Sequence, residues 1–204
     1  MYNNRELIEH LINSSVLRSP VLINAFRKCD RIFFVPEVYH SEAYIDHPLP
    51  IGEGQTVSQP YTVAVMLELL CPESGNTILD IGSGSGWTTA LLASIVGESG
   101  FVEGIERIPA LVEYGRSNLK KIPITNASIE LASPSILGKP GHFYDRILVS
   151  ASAEKIPESL FDQLNPGGIL VIPVQNSIWR ITKNENGAIT RSELYGFQFV
   201  PLIV

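Results

Sequence analysis

Three glycines alternate in Gly82-Ser83-Gly84-Ser85-Gly86, directly after the apolar run Thr77–Ile81 and directly before a helical pattern that opens at Trp87. The run is short and apolar enough to be a buried parallel strand. Glycine permits backbone angles that a side chain forbids and lets the main chain approach a ligand closely. The helix start beyond the turn offers unpaired N–H donors. A chain carrying this turn is committed to a strand–turn–helix unit. Whether the turn is a ligand cradle or a bare connection is not decided by the glycines alone.

The flanking pattern repeats the unit. A helix is expected over about 87–96, a strand over Phe101–Ile105, a helix over Pro109–Lys120, and strands at Ser128–Leu131 and Tyr144–Val149. A short helix over Ile156–Gln163 and a strand over Ile169–Val174 follow, and Ile178–Lys183 and Phe197–Val204 read as a closing pair around a turn at Asn184–Gly187. Strands alternating with helices mean a parallel sheet with helices on both faces. The closing pair has no helix between its members, so an antiparallel C-terminal strand is expected. The fold class is therefore α/β, a doubly wound Rossmann-like sheet. Upstream, residues 5–13, 20–28 and 60–71 show helical spacing, with Pro20 and Pro60 suited to first turns. Residues 33–52 carry Pro36, Pro48 and Pro50 and read as an extended loop. The whole, 1–204, reads as one domain: a helical N-terminal elaboration with a loop over 1–60, then an α/β core over 61–204.

Glu106 ends the second predicted strand, twenty positions beyond Gly86. A carboxylate at the end of a neighbouring strand can accept hydrogen bonds from both hydroxyls of a ribose. In isolation it reads equally well as a solvated loop acid; beside the glycine turn the ribose role is favoured. Dinucleotide folds use G-x-G-x-x-G, which leaves room for a pyrophosphate at the helix start. Here the spacing is G-x-G-x-G after Asp80.

Composition narrows the partners. The formal charge is −6, from 15 basic and 21 acidic residues, and adjacent basic residues occur only as the two pairs Arg27-Lys28 and Lys120-Lys121. Nucleic-acid partners are disfavoured, because they call for a basic surface. Cys29 and Cys71 fit no zinc spacing, and His10, His40, His47 and His142 are scattered, so no metal site is expected. No apolar run approaches the roughly 20 residues that span a bilayer. The N-terminus lacks a signal-peptide core. A cytoplasmic protein with reduced thiols is the expectation.

The Asp80-x-Gly82-x-Gly84-x-Gly86 spacing resembles motif I of the class I S-adenosylmethionine methyltransferases. A longer resemblance is more specific. Asp46-His47-Pro48-Leu49-Pro50-Ile51-Gly52-Glu53-Gly54-Gln55-Thr56-Val57-Ser58-Gln59-Pro60 is similar, almost position by position, to the active-site loop of the protein-L-isoaspartate O-methyltransferase family. Arg31-Ile32-Phe33-Phe34-Val35-Pro36, Tyr144-Asp145-Arg146-Ile147 with Val149-Ser150-Ala151-Ser152, and Phe199-Val200-Pro201-Leu202 resemble further family elements in the same order.

The resemblance implies methyl transfer from S-adenosylmethionine, leaving S-adenosylhomocysteine, to the free carboxylate of L-isoaspartyl residues in damaged proteins or peptides. It implies that Gln55, Thr56, Val57, Asp80, Gly82, Ser83, Gly84, Ser85, Gly86 and Glu106 hold the cofactor. Ser58 would be the catalytic-site residue that positions the substrate carboxylate, with Gln59, Ser150 and Val200 on the substrate side. No membrane or nucleic acid is implied, and a monomer is expected. One departure stands out. Where the family usually has Gly-Asp-Gly, whose acid receives the adenine amino group, this chain has Ser133-Pro134-Ser135. Ser133 or Ser135 is expected to substitute in part. The departure leaves two alternatives open: a related carboxyl methyltransferase with another acceptor, and a binding protein of the same fold without catalysis.

Overall fold

The structure is a computed structural model that describes residues 1–203. It opens with two helices, α1 (Asn4–Asn13) and α2 (Pro20–Lys28). The Asn3 side chain caps α1 by accepting from the Glu6 N–H at 3.0 Å. Two 3-10 turns, Arg31–Phe34 and Glu37–Glu42, lead into a small hairpin, β1 (Leu49–Gly52) with β2 (Gln55–Val57). Most of the segment expected as plain loop is therefore built, in elements too short to show a period. Helix α3 (Pro60–Leu70) follows.

The core is a seven-stranded sheet. Its strands are β3 (Thr77–Ile81), β4 (Phe101–Glu106), β5 (Ala127–Leu131), β6 (Tyr144–Val149), β7 (Leu164–Val174), β8 (Ser177–Lys183) and β9 (Ile189–Tyr195). They lie in the order β5-β4-β3-β6-β7-β8-β9, with the first five parallel and the last two antiparallel. Helix α4 (Trp87–Val96) joins β3 to β4, and α5 (Pro109–Leu119) joins β4 to β5.

From β3 the chain moves one way to β4 and β5, then jumps back across β3 to β6 and β7. Right-handed crossovers in opposite directions fall on opposite faces. All five α-helices accordingly share one apolar cluster with Ile78, Val102, Ile129, Leu148 and Val171. The alternating strand residues Leu79, Ile81, Ile105, Ile147, Leu170 and Ile172 form the second cluster. That face is covered by a 3-10 turn at Glu158–Gln163 and by irregular segments, not by α-helix. The double winding is thus unequal. The helix expected over Ile156–Gln163 is this tighter turn, and β7 begins earlier than expected, at Leu164.

The closing pair differs from the expectation. The partner of β8 is β9, with Trp179 opposite Glu193, and not the segment beginning at Phe197. Thr190-Arg191-Ser192-Glu193 is polar because β9 is an exposed edge, so it lacked the apolar signature of a strand. Gly196, at φ +101°, turns the chain out of the sheet. Residues 197–203 then run back to the carboxyl ends of the parallel strands, where Pro201 bridges Ser152 and the Leu202 N–H donates to the Ser152 carbonyl at 2.8 Å. The last residue of the expected strand, Val204, lies outside the described residues.

Candidate active site

The switch from β3 to β6 opens a crevice at the strands' carboxyl ends, where open α/β sheets bind ligands. The glycine turn forms its floor. Gly82, Gly84 and Gly86 have φ of +80°, +51° and +83°, backbone that side chains rarely adopt. Crowding adds a second constraint. A Cβ on Gly115 of α5 would lie 2.9 Å from the Gly84 carbonyl oxygen, so the helix packs against the turn itself.

Two acids sit under and beside this turn. Asp80 is fully buried, and its Oδ2 accepts from the Thr88 and Thr89 hydroxyls at 2.8 and 2.7 Å. Its Oδ1 has no partner. Burial pushes the Asp80 carboxyl up to about 6 and Glu106 adds to the rise, while the two threonine hydroxyls oppose it. Glu106 is also buried; one carboxylate oxygen accepts from the Gly84 N–H at 3.0 Å and the other from the Ile108 N–H at 2.9 Å. Among the described residues neither acid pairs with a lysine, arginine or histidine. Buried charges are normally paired. Two unpaired acids, one beneath the glycine turn and one on the cleft wall beside it, suit a ligand that brings its own positive charge, as a sulfonium amino acid does.

Three clefts meet here. The first, with an empty volume of ≈ 780 Å³, is walled by Glu106, the apolar Ile108, Leu137 and Leu202, and Gln55 and Thr56 of β2. An acid fixed by two backbone N–H groups beside apolar walls suits a ribose carrying a flat base. The second, ≈ 310 Å³, is lined by Val57, Ser58, Ser83, Ser85, Trp87, Thr88 and Ser150. Its hydroxyls and glycine-turn backbone suit the amino-acid end of the same ligand. The third, ≈ 720 Å³, is lined by Pro48, Thr56, Ser58, Gln59, Thr62, Gln198, Phe199 and Val200.

Most residues singled out in the sequence converge on these walls. Gln55, Thr56, Gly82, Gly84, Glu106 and Ser133 line the first cleft. Val57, Ser83, Ser85 and Ser150 line the second, Gln59 lines the third, and Val200 lines the first and third. Ser58 lines the second and third, and Thr56 lines all three. Asp80 and Gly86 act from beneath, Asp80 as the buried charge and Gly86 as the left-handed residue before α4. Ser135 differs: it lies on a neighbouring depression beside Pro157 and Gln163, and its backbone N–H donates to the Ser133 hydroxyl at 3.4 Å. At the base end, Ser133 is therefore on the cleft wall and Ser135 is not.

Several wall residues escaped the sequence reading. Thr88, on the wall of the second cleft, and Thr89, buried behind it, hold Asp80 from just beyond Trp87, and their hydroxyls were the available signal. Ile108 and Leu137 were not singled out, since a lone apolar residue after a strand or in a loop carries no signal of its own. Gln198 and Phe199 were assigned to a strand rather than to a cleft wall.

Comparison with known proteins agrees with this geometry. The family profile described as protein-L-isoaspartate(D-aspartate) O-methyltransferase (PCMT) matches residues 2–204. The protein-L-isoaspartate O-methyltransferase of Methanopyrus kandleri is 44% identical over 97% of this chain and 89% of its own length. That of Pyrococcus horikoshii is 41% identical over 98% of this chain and 92% of its own length. A crystal structure of a Plasmodium falciparum protein assigned as a protein-L-isoaspartate O-methyltransferase, in complex with S-adenosyl-L-homocysteine, superimposes with a TM-score of 0.87 at 28% identity, covering 99% of both chains. With a profile match along almost its whole length and relatives above 40% identity, this chain belongs to the protein-L-isoaspartate(D-aspartate) O-methyltransferase family.

Proposed function

We propose that this protein repairs damaged proteins by transferring the methyl group of S-adenosylmethionine to the free α-carboxylate of an L-isoaspartyl residue. One observation carries the reading: Ser58 and Thr56 stand where a cleft suited to the methyl donor meets a separate cleft open to an acceptor. The family and its relatives' activity point the same way.

The acceptor needs little chemical help. A free α-carboxylate has a pKa of roughly 3.5, so it is ionised at neutral pH and requires no general base. The sulfonium supplies an electrophilic methyl carbon. A carboxylate oxygen forms the new O–CH₃ bond as the C–S bond breaks, and the electron pair stays on sulfur as a neutral thioether. The protein's task is to hold the oxygen in line with the methyl carbon. We assign that task to the Ser58 hydroxyl, which can donate a hydrogen bond to the carboxylate. The third cleft offers no charged side chain for it. Val200 borders the same cleft; its carbonyl accepts from the Ser152 N–H, and we assign the other edge of its segment to hydrogen bonding with an extended peptide. Glu106 takes the ribose hydroxyls, and Asp80 supplies negative charge beneath the amino-acid end. We read the chain as one domain acting as a monomer.

The test is transfer of labelled methyl to an isoaspartyl peptide and to its matched aspartyl peptide. Label is expected on the first alone. Equal labelling would indicate a carboxyl methyltransferase with a different acceptor. No labelling, with calorimetry showing no cofactor binding, would leave a non-catalytic protein. In the same assay, Ser58→Ala is expected to lower turnover about 10–100-fold, the worth of one hydrogen bond to a charged group. Affinity for S-adenosylhomocysteine is expected to stay nearly constant.

A further inference from the structure

Arg31 is fully buried and, among the described residues, has no carboxylate in contact. Its guanidinium donates instead to four backbone carbonyls. Nη1 reaches Ala43 at 2.9 Å and Ile45 at 3.1 Å; Nη2 reaches His47 at 2.9 Å and Ser58 at 3.1 Å. The group lies over the Trp87 ring, 5.4 Å from its centre, and Nε has no partner. Burying a charge in this way is costly, and burial pushes the guanidinium down to about 10, with Asp46 the acid that offsets it. Three of the four carbonyls lie in 43–47 and the fourth is that of Ser58, so the cation ties the loop to the residue between the two clefts.

Asp46 grips the same segment from the other side. Its carboxylate accepts from the Tyr61 N–H at 2.8 Å and from Gln59 Nε2 at 3.3 Å, and His10 lies 3.6 Å away. Ser58 and Gln59 both line the acceptor cleft, yet neither Arg31 nor Asp46 lines any of the three clefts. The acids and glycines that suit the cofactor come from β3, β4 and the turn between β3 and α4, and the clamp's own contact on that side is the Arg31 guanidinium over the Trp87 ring.

We propose that Arg31 and Asp46 are positioning residues that together set the Ser58-Gln59 segment against the acceptor carboxylate. The proposal rests on the role assigned to Ser58 above. A guanidinium suits the task because its planar fork presents several fixed donors at once, whereas a lysine ammonium has three donors on one atom and cannot span four carbonyls. A small displacement of a positioned group can cost about 10²-fold in rate.

The test compares Arg31→Lys, Asp46→Asn and Ser58→Ala in the full chain, measuring acceptor kcat/KM and the Kd of S-adenosylhomocysteine. For Arg31→Lys, acceptor kcat/KM is expected to fall about 10–100-fold with the Kd unchanged within about 3-fold. For Asp46→Asn, whose amide still accepts from Tyr61, a fall of about 3–10-fold with the same split is expected. Acceptor kinetics that match the wild type in either variant would overturn the proposal. So would a Kd that weakens in step with kcat/KM, which is what a purely architectural role predicts. Should Arg31→Lys fail to fold, the partly exposed Asp46 variant decides. Full activity in Ser58→Ala would sink the reading of Ser58 itself. Impairment in Ser58→Ala with both clamp variants fully active would sink the clamp alone.

Discussion

The two loops that face each other across the first cleft are built by opposite means. The glycine turn at 82–86 is squeezed from several sides. Gly115 packs against the Gly84 carbonyl, Asn118 donates to the Ser85 carbonyl at 2.9 Å, and Glu106 holds the Gly84 N–H. The loop after β5 is mostly exposed over 133–136. It is moored further along by Gln163, which accepts from the Lys139 N–H at 2.7 Å and donates to the Leu137 carbonyl at 3.1 Å. One side of the cleft carries charge in a fixed frame; the other carries Ala132, Ser133, Ile136 and Leu137 and no acid. On the proposed reading, recognition is anchored at the ribose and amino-acid end, and the base is held mainly by apolar contact.

The largest effect should therefore come from the charged side. Glu106→Gln is expected to weaken S-adenosylhomocysteine binding about 10–100-fold by calorimetry, since hydrogen bonds to a charged group are worth about 1.5–3 kcal/mol. A loss below that of Ser133→Ala would collapse the comparison.

The next effect is pH dependence at the same end. The Asp80 carboxyl is raised from 3.8 to about 6. As pH falls through that value, Asp80 takes up a proton and its attraction for a cationic ligand is lost. Cofactor affinity, titrated from pH 7.5 to 5, is expected to fall by about tenfold per unit below the midpoint. The ligand-free protein should behave oppositely. Folded Asp80 holds its proton more tightly than the unfolded chain does, so this group's contribution to stability declines as pH rises from about 4 to 6. Asp80→Asn should flatten both profiles; a binding profile that keeps its slope in that variant would assign the titration elsewhere.

The smallest effects belong to the base side. Ser133→Ala should cost at most about tenfold in affinity, one neutral hydrogen bond. Ser135→Ala should leave the isotherm unchanged, because that side chain is off the cleft. A Ser135 effect larger than the Ser133 effect would mean the loop rearranges when the nucleoside binds.

What the sequence disclosed follows the same division. The strands β3 and β6 are buried on both faces along most of their length, so Ile78-Leu79 and Ile147-Leu148-Val149 are apolar runs, and the glycines between β3 and α4 are required by backbone angle. Both signals are local. Glu106 was legible because it ends the strand that follows the glycine turn and its helix. The hairpin of β1 and β2 was not, since strands of four and three residues, with Pro50 inside one, carry no period. The course of residues 197–203 depends on a turn at Gly196 and a bridge to Ser152, a partner far away in the chain. The same holds for Arg31, whose acceptors are backbone carbonyls and leave no residue-type signature.

The unequal covering of the two sheet faces has a consequence for how such a chain can diverge. Insertions or deletions on the helical side would have to be absorbed by a cluster that includes all five α-helices. On the other side, the loop after β5 and the turn at Glu158–Gln163 can lengthen, shorten or change composition at the surface. On the proposed reading, nucleoside discrimination can change on that side without disturbing the frame that orients the reacting atoms.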